Sequence, residues 1–228
     1  MNDTRINADF SERVVIDTNA MPWVASPMGG VERRMLDRIG GEVARATTIV
    51  RFAPGSAFSP HDHALGEEFL VLDGVFQDEH GDFGAGSYIR NPPGSRHTPA
   101  TEPGCTIFVK LRQMRDDGLE PLLHTDTMHG AWTSGGRPGY ERQTLYAPDD
   151  GREFVALERL SPGTSVDERA LKGGEEILVL DGLLIQSGER HPAGAWIRNP
   201  PGASLSLETG PDLGCTFWVK RGHLPPAM

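Results

Sequence analysis

The stretch Gly66–Asn91 reads GEEFLVLDGVFQDEHGDFGAGSYIRN, and the stretch Gly174–Asn199 reads GEEILVLDGLLIQSGERHPAGAWIRN. Both run directly into Pro-Pro-Gly, at Pro92–Gly94 and Pro200–Gly202, so an offset of 108 holds without a gap across the whole span. Self-similarity at a fixed offset marks a repeated structural unit. The match spreads in both directions. Gly104-Cys105-Thr106 returns as Gly214-Cys215-Thr216, and Trp23, Gly30, Glu32, Arg33 and Leu36 return as Trp132, Gly139, Glu141, Arg142 and Leu145. The chain therefore divides into two units of about a hundred residues, placed at 13–115 and 122–222, with the join in the polar stretch Arg115–Pro121.

Each unit reads as all-β. Apolar runs such as Thr48–Phe52, Glu68–Leu72, Val75–Gln77, Ser87–Arg90 and Thr106–Leu111 are short and end at Gly, Pro or Asp, the residues that turns require. The 28 glycines and 18 prolines fall among these breaks and form no low-complexity tract. A helical turn is predicted only near Val31–Ile39, where Met35, Leu36 and Ile39 fall at helical spacing. Short strands of this kind close into small barrels or jelly rolls, which leave no long unpaired edge.

The first unit carries polar residues at informative intervals. His61-Asp62-His63 places two imidazoles at i and i+2, which face the same way on a strand. Glu67 follows after three residues, and His97 follows Pro92-Pro93-Gly94 after two more. The full spacing is G-x5-H-x-H-x3-E-x6-G from Gly55 to Gly74. From Gly86 to His97 it is G-x5-P-x-G-x2-H, with Thr101 where the second pattern ends in Asn. Taken singly, each histidine is better read as a surface residue; two long patterns in order in one unit change that weighing.

These patterns resemble the two sequence motifs of the cupin superfamily. The resemblance implies two tandem double-stranded β-helix (jelly-roll) barrels, a bicupin, and metal-ligand roles for His61, His63, Glu67 and His97. Three imidazoles and a carboxylate suit one divalent transition metal such as Fe(II), Zn(II) or Mn(II) and leave coordination positions open. Glu68, the adjacent carboxylate, should face away on a strand. At the offset of 108, His61 becomes Arg169, His63 becomes Leu171 and His97 becomes Leu205, while Glu67 survives as Glu175. The second barrel is expected to hold no metal, and to be a structural partner or a metal-free pocket with Arg169 as an anion anchor.

The run GEEFLVLDGVF followed by His-Thr-Pro is similar to the cupin domain of ChrR-type anti-sigma factors and of related cupin dioxygenases. That likeness implies a site that binds or oxidises a small oxygenated organic molecule; the alternative is a non-catalytic zinc-binding sensor or regulatory module. The helical zinc arm of those anti-sigma factors has a His-x3-Cys-x2-Cys element, and this chain has no cysteine before Cys105. Direct sigma-factor binding is therefore not expected. No catalytic residue and no organic-cofactor site stands out.

Composition narrows the partners. With 32 acidic against 22 basic residues the net charge is −10, which disfavours nucleic acid. No apolar run approaches membrane-spanning length and the first ten residues are polar, so a cytoplasmic protein without a membrane partner is expected. A small-molecule ligand is the expected partner, with homo-oligomers an open alternative. The two cysteines, Cys105 and Cys215, occupy equivalent places and are expected to be small core residues. His80, His124, His129, His191 and His223 fall outside the motifs and are expected at the surface or in loops.

Overall fold

A computed structural model describes residues 4–225. Among them the chain is built from strands, with one 3-10 turn at Thr18–Ala20. It forms two jelly-roll barrels. In the first, the main sheet runs Arg5–Ile6, Val31–Gly40, Ala44–Phe52, Cys105–Leu111, Glu67–Asp78, Ser87–Asn91, Leu123–Asp126. In the second, the order is Thr133–Arg137, Tyr140–Tyr146, Phe154–Leu160, Cys215–Arg221, Glu175–Gln186, Ala195–Asn199, Val14–Asp17, where Thr133–Arg137 is the counterpart of Val24–Ala25 in the first. Every strand pairing in both sheets is antiparallel.

The last strand of each sheet differs from the sequence-drawn units. One compact unit takes Pro22–Gly130 with the chain through Ala8; the other takes Asp9–Met21 with the chain from Ala131. Val14–Asp17 pairs with Ala195–Asn199, and Leu123–Asp126 pairs with Ser87–Arg90. The boundaries 13–115 and 122–222 therefore cut each barrel away from its final strand. Sequence similarity follows the repeat, whereas compactness follows which edge each short strand completes.

The strand Glu67–Asp78 shows how the barrel closes. Asp73-Gly74, where the apolar run Glu68–Leu72 ends in the sequence, lies inside this strand at a bulge. Thr106 pairs with Asp73 and Ile107 with Val71, so Leu72 is the extra residue. Gly74 has φ +73°, and a Cβ there would sit 2.0 Å from the Gly104 carbonyl oxygen; only glycine fits. The bend carries the strand out of the main sheet to pair with Gly81–Gly84 and Ala100. Gly182 does the same against Gly214, also at 2.0 Å.

The helical turn predicted near Val31–Ile39 is absent; Val31–Gly40 is a strand. A register shift between Met35 and Asp37 explains the misleading spacing. A bulge breaks strict alternation there, so the spacing of Met35, Leu36 and Ile39 reflects an extra residue in a strand; Leu36 is buried and the other two are half-buried. The core of the first barrel includes Val31, Val50, Phe69, Val71, Phe76, Ile89, Cys105, Ile107 and Val109. That of the second includes Tyr140, Ala156, Ile177, Val179, Ile197, Cys215, Phe217 and Val219. Both cysteines are free and buried, and burial pushes their thiols up to about 11 and about 12. They pack as small apolar residues and do not ionise near neutral pH.

Candidate metal centre

The turn residues place the histidines. His61–Asp62 and Arg96–His97 form a two-residue antiparallel ladder in which His97 lies opposite His61. His63 is tied to the same loop: its amide donates to the Ser95 carbonyl at 2.9 Å, and the Gly94 amide donates to the His63 carbonyl at 2.9 Å. Pro92-Pro93-Gly94 thus turns the chain so that His97 returns beside the first histidine pair. The three imidazoles stand edge to face, with ring centroids 4.6–5.1 Å apart. One nitrogen from each lies within 4.8 Å of the others.

The outer nitrogens are engaged. Nδ1 of His61 lies 3.3 Å from the Ser59 carbonyl, Nδ1 of His63 lies 3.0 Å from the Ser95 hydroxyl, and Nδ1 of His97 lies 3.2 Å from Oδ2 of Asp78. A carbonyl or an ionised carboxylate only accepts, so in His61 and His97 the Nδ1 carries hydrogen and Nε2 presents its lone pair. Nε2 of His63 and of His97 is buried and has no hydrogen-bond partner. Two orphaned ring nitrogens beside a third imidazole fit a missing cation, since a buried polar group without a partner is otherwise destabilising.

Glu67 opens its strand beside this cluster. Its Oε2 lies 3.4 Å from Nε2 of His63 and 3.7 Å from Nε2 of His97, and accepts from Nδ2 of Asn91 at 3.1 Å. The neighbouring Glu68 faces the other way, where it accepts from Tyr88 and Arg90 at 2.7 Å each. The electrostatics divide the histidines. Burial dominates at His63 and lowers its pKa despite Glu67. At His97 burial also lowers, but the hydrogen bond to Asp78 and the charge of Glu67 outweigh it and the pKa is raised. Burial would raise the Asp78 carboxyl, yet hydrogen bonds from His97 and the His80 amide hold it below the usual range.

Asp78 and Ser95 are partners that the sequence did not announce. The repeat contained the signal. Where Leu205 replaces His97, Gln186 replaces Asp78; where Leu171 replaces His63, Ala203 replaces Ser95. Ligand and supporting group are present together or absent together.

The second barrel fills the same place with an internal cation. Arg169 pairs with Glu175 through its Nη2, and Arg221 donates to Glu175 from Nε at 2.7 Å. Arg169 is thus committed to an ion pair and does not serve as the anion anchor considered from the sequence. Two other histidines depart from expectation. His191 is buried on the strand Glu189–Pro192, and the buried side chain of His223 contacts Glu176.

The family profile of the ChrR cupin-like domain matches residues 11–115 and again 121–225. The chain belongs to the ChrR cupin-like family. Solved structures carry the same fold. A candidate dioxygenase from Nostoc punctiforme aligns with a TM-score of 0.77 at 16% identity, over 96% of this chain and 84% of its own. YlbA of E. coli aligns at 0.68 and 14%, over 96% and 95%. A deletion variant of Bacillus subtilis oxalate decarboxylase aligns at 0.62 and 13%, over 94% and 78%. At these identities the likeness of this ChrR-like bicupin to them is one of fold. No curated protein matches it, and no helix among its described residues is long and apolar enough to cross a membrane.

Proposed function

We propose that the first barrel of this bicupin binds one divalent transition metal through His61, His63, His97 and Glu67, and there binds and oxidises a small oxygenated organic molecule. The observation that carries this reading is the pair of buried, unpartnered Nε2 atoms of His63 and His97 facing Glu67. Three neutral nitrogens and one carboxylate suit iron, manganese or zinc and leave room for a ligand. A bound ion would supply Lewis acidity and, if iron, redox chemistry with oxygen.

The chain's own groups do the rest. Asp78 and Ser95 hold the imidazole rings of His97 and His63 in orientation. Asn91 steadies the Glu67 carboxylate. Phe76 packs 5.7 Å from the His97 ring, and with Phe69 makes the floor behind the cluster apolar. An apolar floor excludes water and strengthens charge interactions at the site.

Elemental analysis of protein purified without oxygen, followed by oxygen-electrode traces with β-diketones and hydroxyketones, tests the proposal. One equivalent of iron with substrate-dependent oxygen uptake is expected. Tightly held zinc with no oxygen consumption would favour a non-catalytic sensor or regulatory module. A folded chain that takes up no divalent ion would overturn the metal site itself.

A further inference from the structure

Each barrel repeats the same outer-face contacts, and the inner faces differ. Outside, Arg51 stacks on Trp23 at 4.3 Å and pairs with Glu32 at 2.5 Å; Arg159 stacks on Trp132 at 4.2 Å and pairs with Glu141 at 2.7 Å. This correspondence and the strand registers align the inner faces residue by residue. Arg33 lies opposite Val50, as Arg142 lies opposite Glu158. Leu111 lies opposite Glu67 and Ala46, as Arg221 lies opposite Glu175 and Phe154.

In the second barrel these positions form a continuous ionic chain. Arg221 links Glu175, at 2.7 Å, to Glu158, at 2.7 Å through each Nη. Glu158 in turn accepts from Nε of Arg142 at 3.1 Å. The Phe154 ring packs under both guanidiniums. Protein side chains thus occupy the whole span from the Glu175 end to Arg142.

The first barrel keeps both ends and lacks the middle. Glu67 and Arg33 remain, but Leu111 and Val50 replace the linking arginine and glutamate, and Ala46 replaces the phenylalanine. Met35 for Thr144, Thr48 for Ala156 and the buried Arg38, which lies opposite Ala46 on the same face, take up part of that volume. Arg33 is on the inner face, because it alternates with core residue Val31 and is in register with core residue Val50. Its side chain is 17% exposed and meets Glu42 at 3.3 Å, a carboxylate that is itself 66% exposed. Nε of Arg33 is buried without a hydrogen-bond partner.

We propose that Arg33 anchors an anionic group of the ligand, so that the first barrel takes a small oxygenated carboxylic acid. Its oxygenated head lies at the histidine cluster, a short carbon chain crosses Val50 and Leu111, and its carboxylate replaces the contacts that Arg142 makes in the second barrel. A partly buried guanidinium with an open donor selects a planar oxyanion by paired, charge-assisted hydrogen bonds. This inference rests on the metal-site reading above and specifies the ligand for it.

The probes are 4,6-dioxoheptanoate and its carboxamide, which share a diketone head and differ in tail charge. Each is titrated by calorimetry into the cobalt(II)-loaded full chain. The acid is expected to bind the wild type about tenfold or more tightly than the amide. Arg33→Met should erase that difference, Arg33→Lys should retain part of it, and Arg51→Met on the outer wall should leave it whole. Cobalt content of each variant reports on folding. Equal affinity for acid and amide, a preference that survives Arg33→Met, or no binding of either probe overturns the anchor while leaving the metal site standing. Failure to take up cobalt at all overturns the metal site as well.

Discussion

Replacing Asp78 with Asn tests the centre from one step outside it. The Asp78 carboxylate accepts from Nδ1 of His97 at 3.2 Å and from the His80 amide at 2.8 Å, with its side chain 3% exposed. An asparagine oxygen can still accept from Nδ1, so the ring keeps its orientation while the negative charge is lost. That charge raises the electron density that His97 offers through Nε2. Loss of such a partner typically weakens metal binding about 10- to 100-fold, or about 1.4–2.7 kcal/mol. Asp78→Ala should lie at the upper end, because it removes the hydrogen bond too.

The sign with pH separates this effect from general damage. A metal ligand must be unprotonated, and the His97 pKa is raised above 6.5, chiefly by Asp78 acting against burial. In the wild type, metal affinity should therefore begin to fall while the pH is still above 6.5. Removing the charge relieves this proton competition, so the variant's affinity should start to fall only at lower pH. The deficit of Asp78→Asn should thus be largest near pH 8 and shrink near pH 6. Competition with a chromophoric chelator across that range measures it. Affinity within twofold of the wild type at pH 8, or a deficit independent of pH, would refute the role given to Asp78.

Three further outcomes are expected. The wild type should hold one metal per chain; His97→Ala should lose most of it, while His191→Ala and Glu175→Gln leave the stoichiometry unchanged by mass spectrometry of the native protein. Arg221→Leu should cost about 3–5 kcal/mol in urea unfolding, because it leaves Glu158 and Glu175 buried without their shared cation. Burial opposes ionisation of Glu158, but Arg221 brings its carboxyl down to about 2. Its stabilising contribution is present above the unfolded value of 4.5 and is lost as pH falls through about 2, so the variant should unfold in acid at a higher pH than the wild type. A fragment spanning 22–130 should resist proteolysis better than one spanning 13–115. The shorter cut removes the strand Leu123–Asp126 and takes Glu120, at 2.6 Å, from the buried Arg90.

The amino-acid sequence alone determined the repeat, the β character and the set of histidines, because these depend on local rules. Turns need Gly and Pro at fixed places, and a ladder of two short strands needs its histidines at fixed intervals. Tertiary structure alone decided what depends on partners distant in the chain. Met35, Leu36 and Ile39 read as a helical stripe, but a bulge set by pairing with the next strand places them on one extended strand. Val14–Asp17 and Leu123–Asp126 look like the leading strands of their own repeats, but each completes the edge of the other's sheet. Arg169 and Arg33 are both arginines on inner faces; one pairs with the buried Glu175, and the other lies opposite Val50 and meets the exposed Glu42. Spacing along the chain does not fix the charge across a barrel, which is why the histidine cluster was legible in advance and the groups that surround it were not.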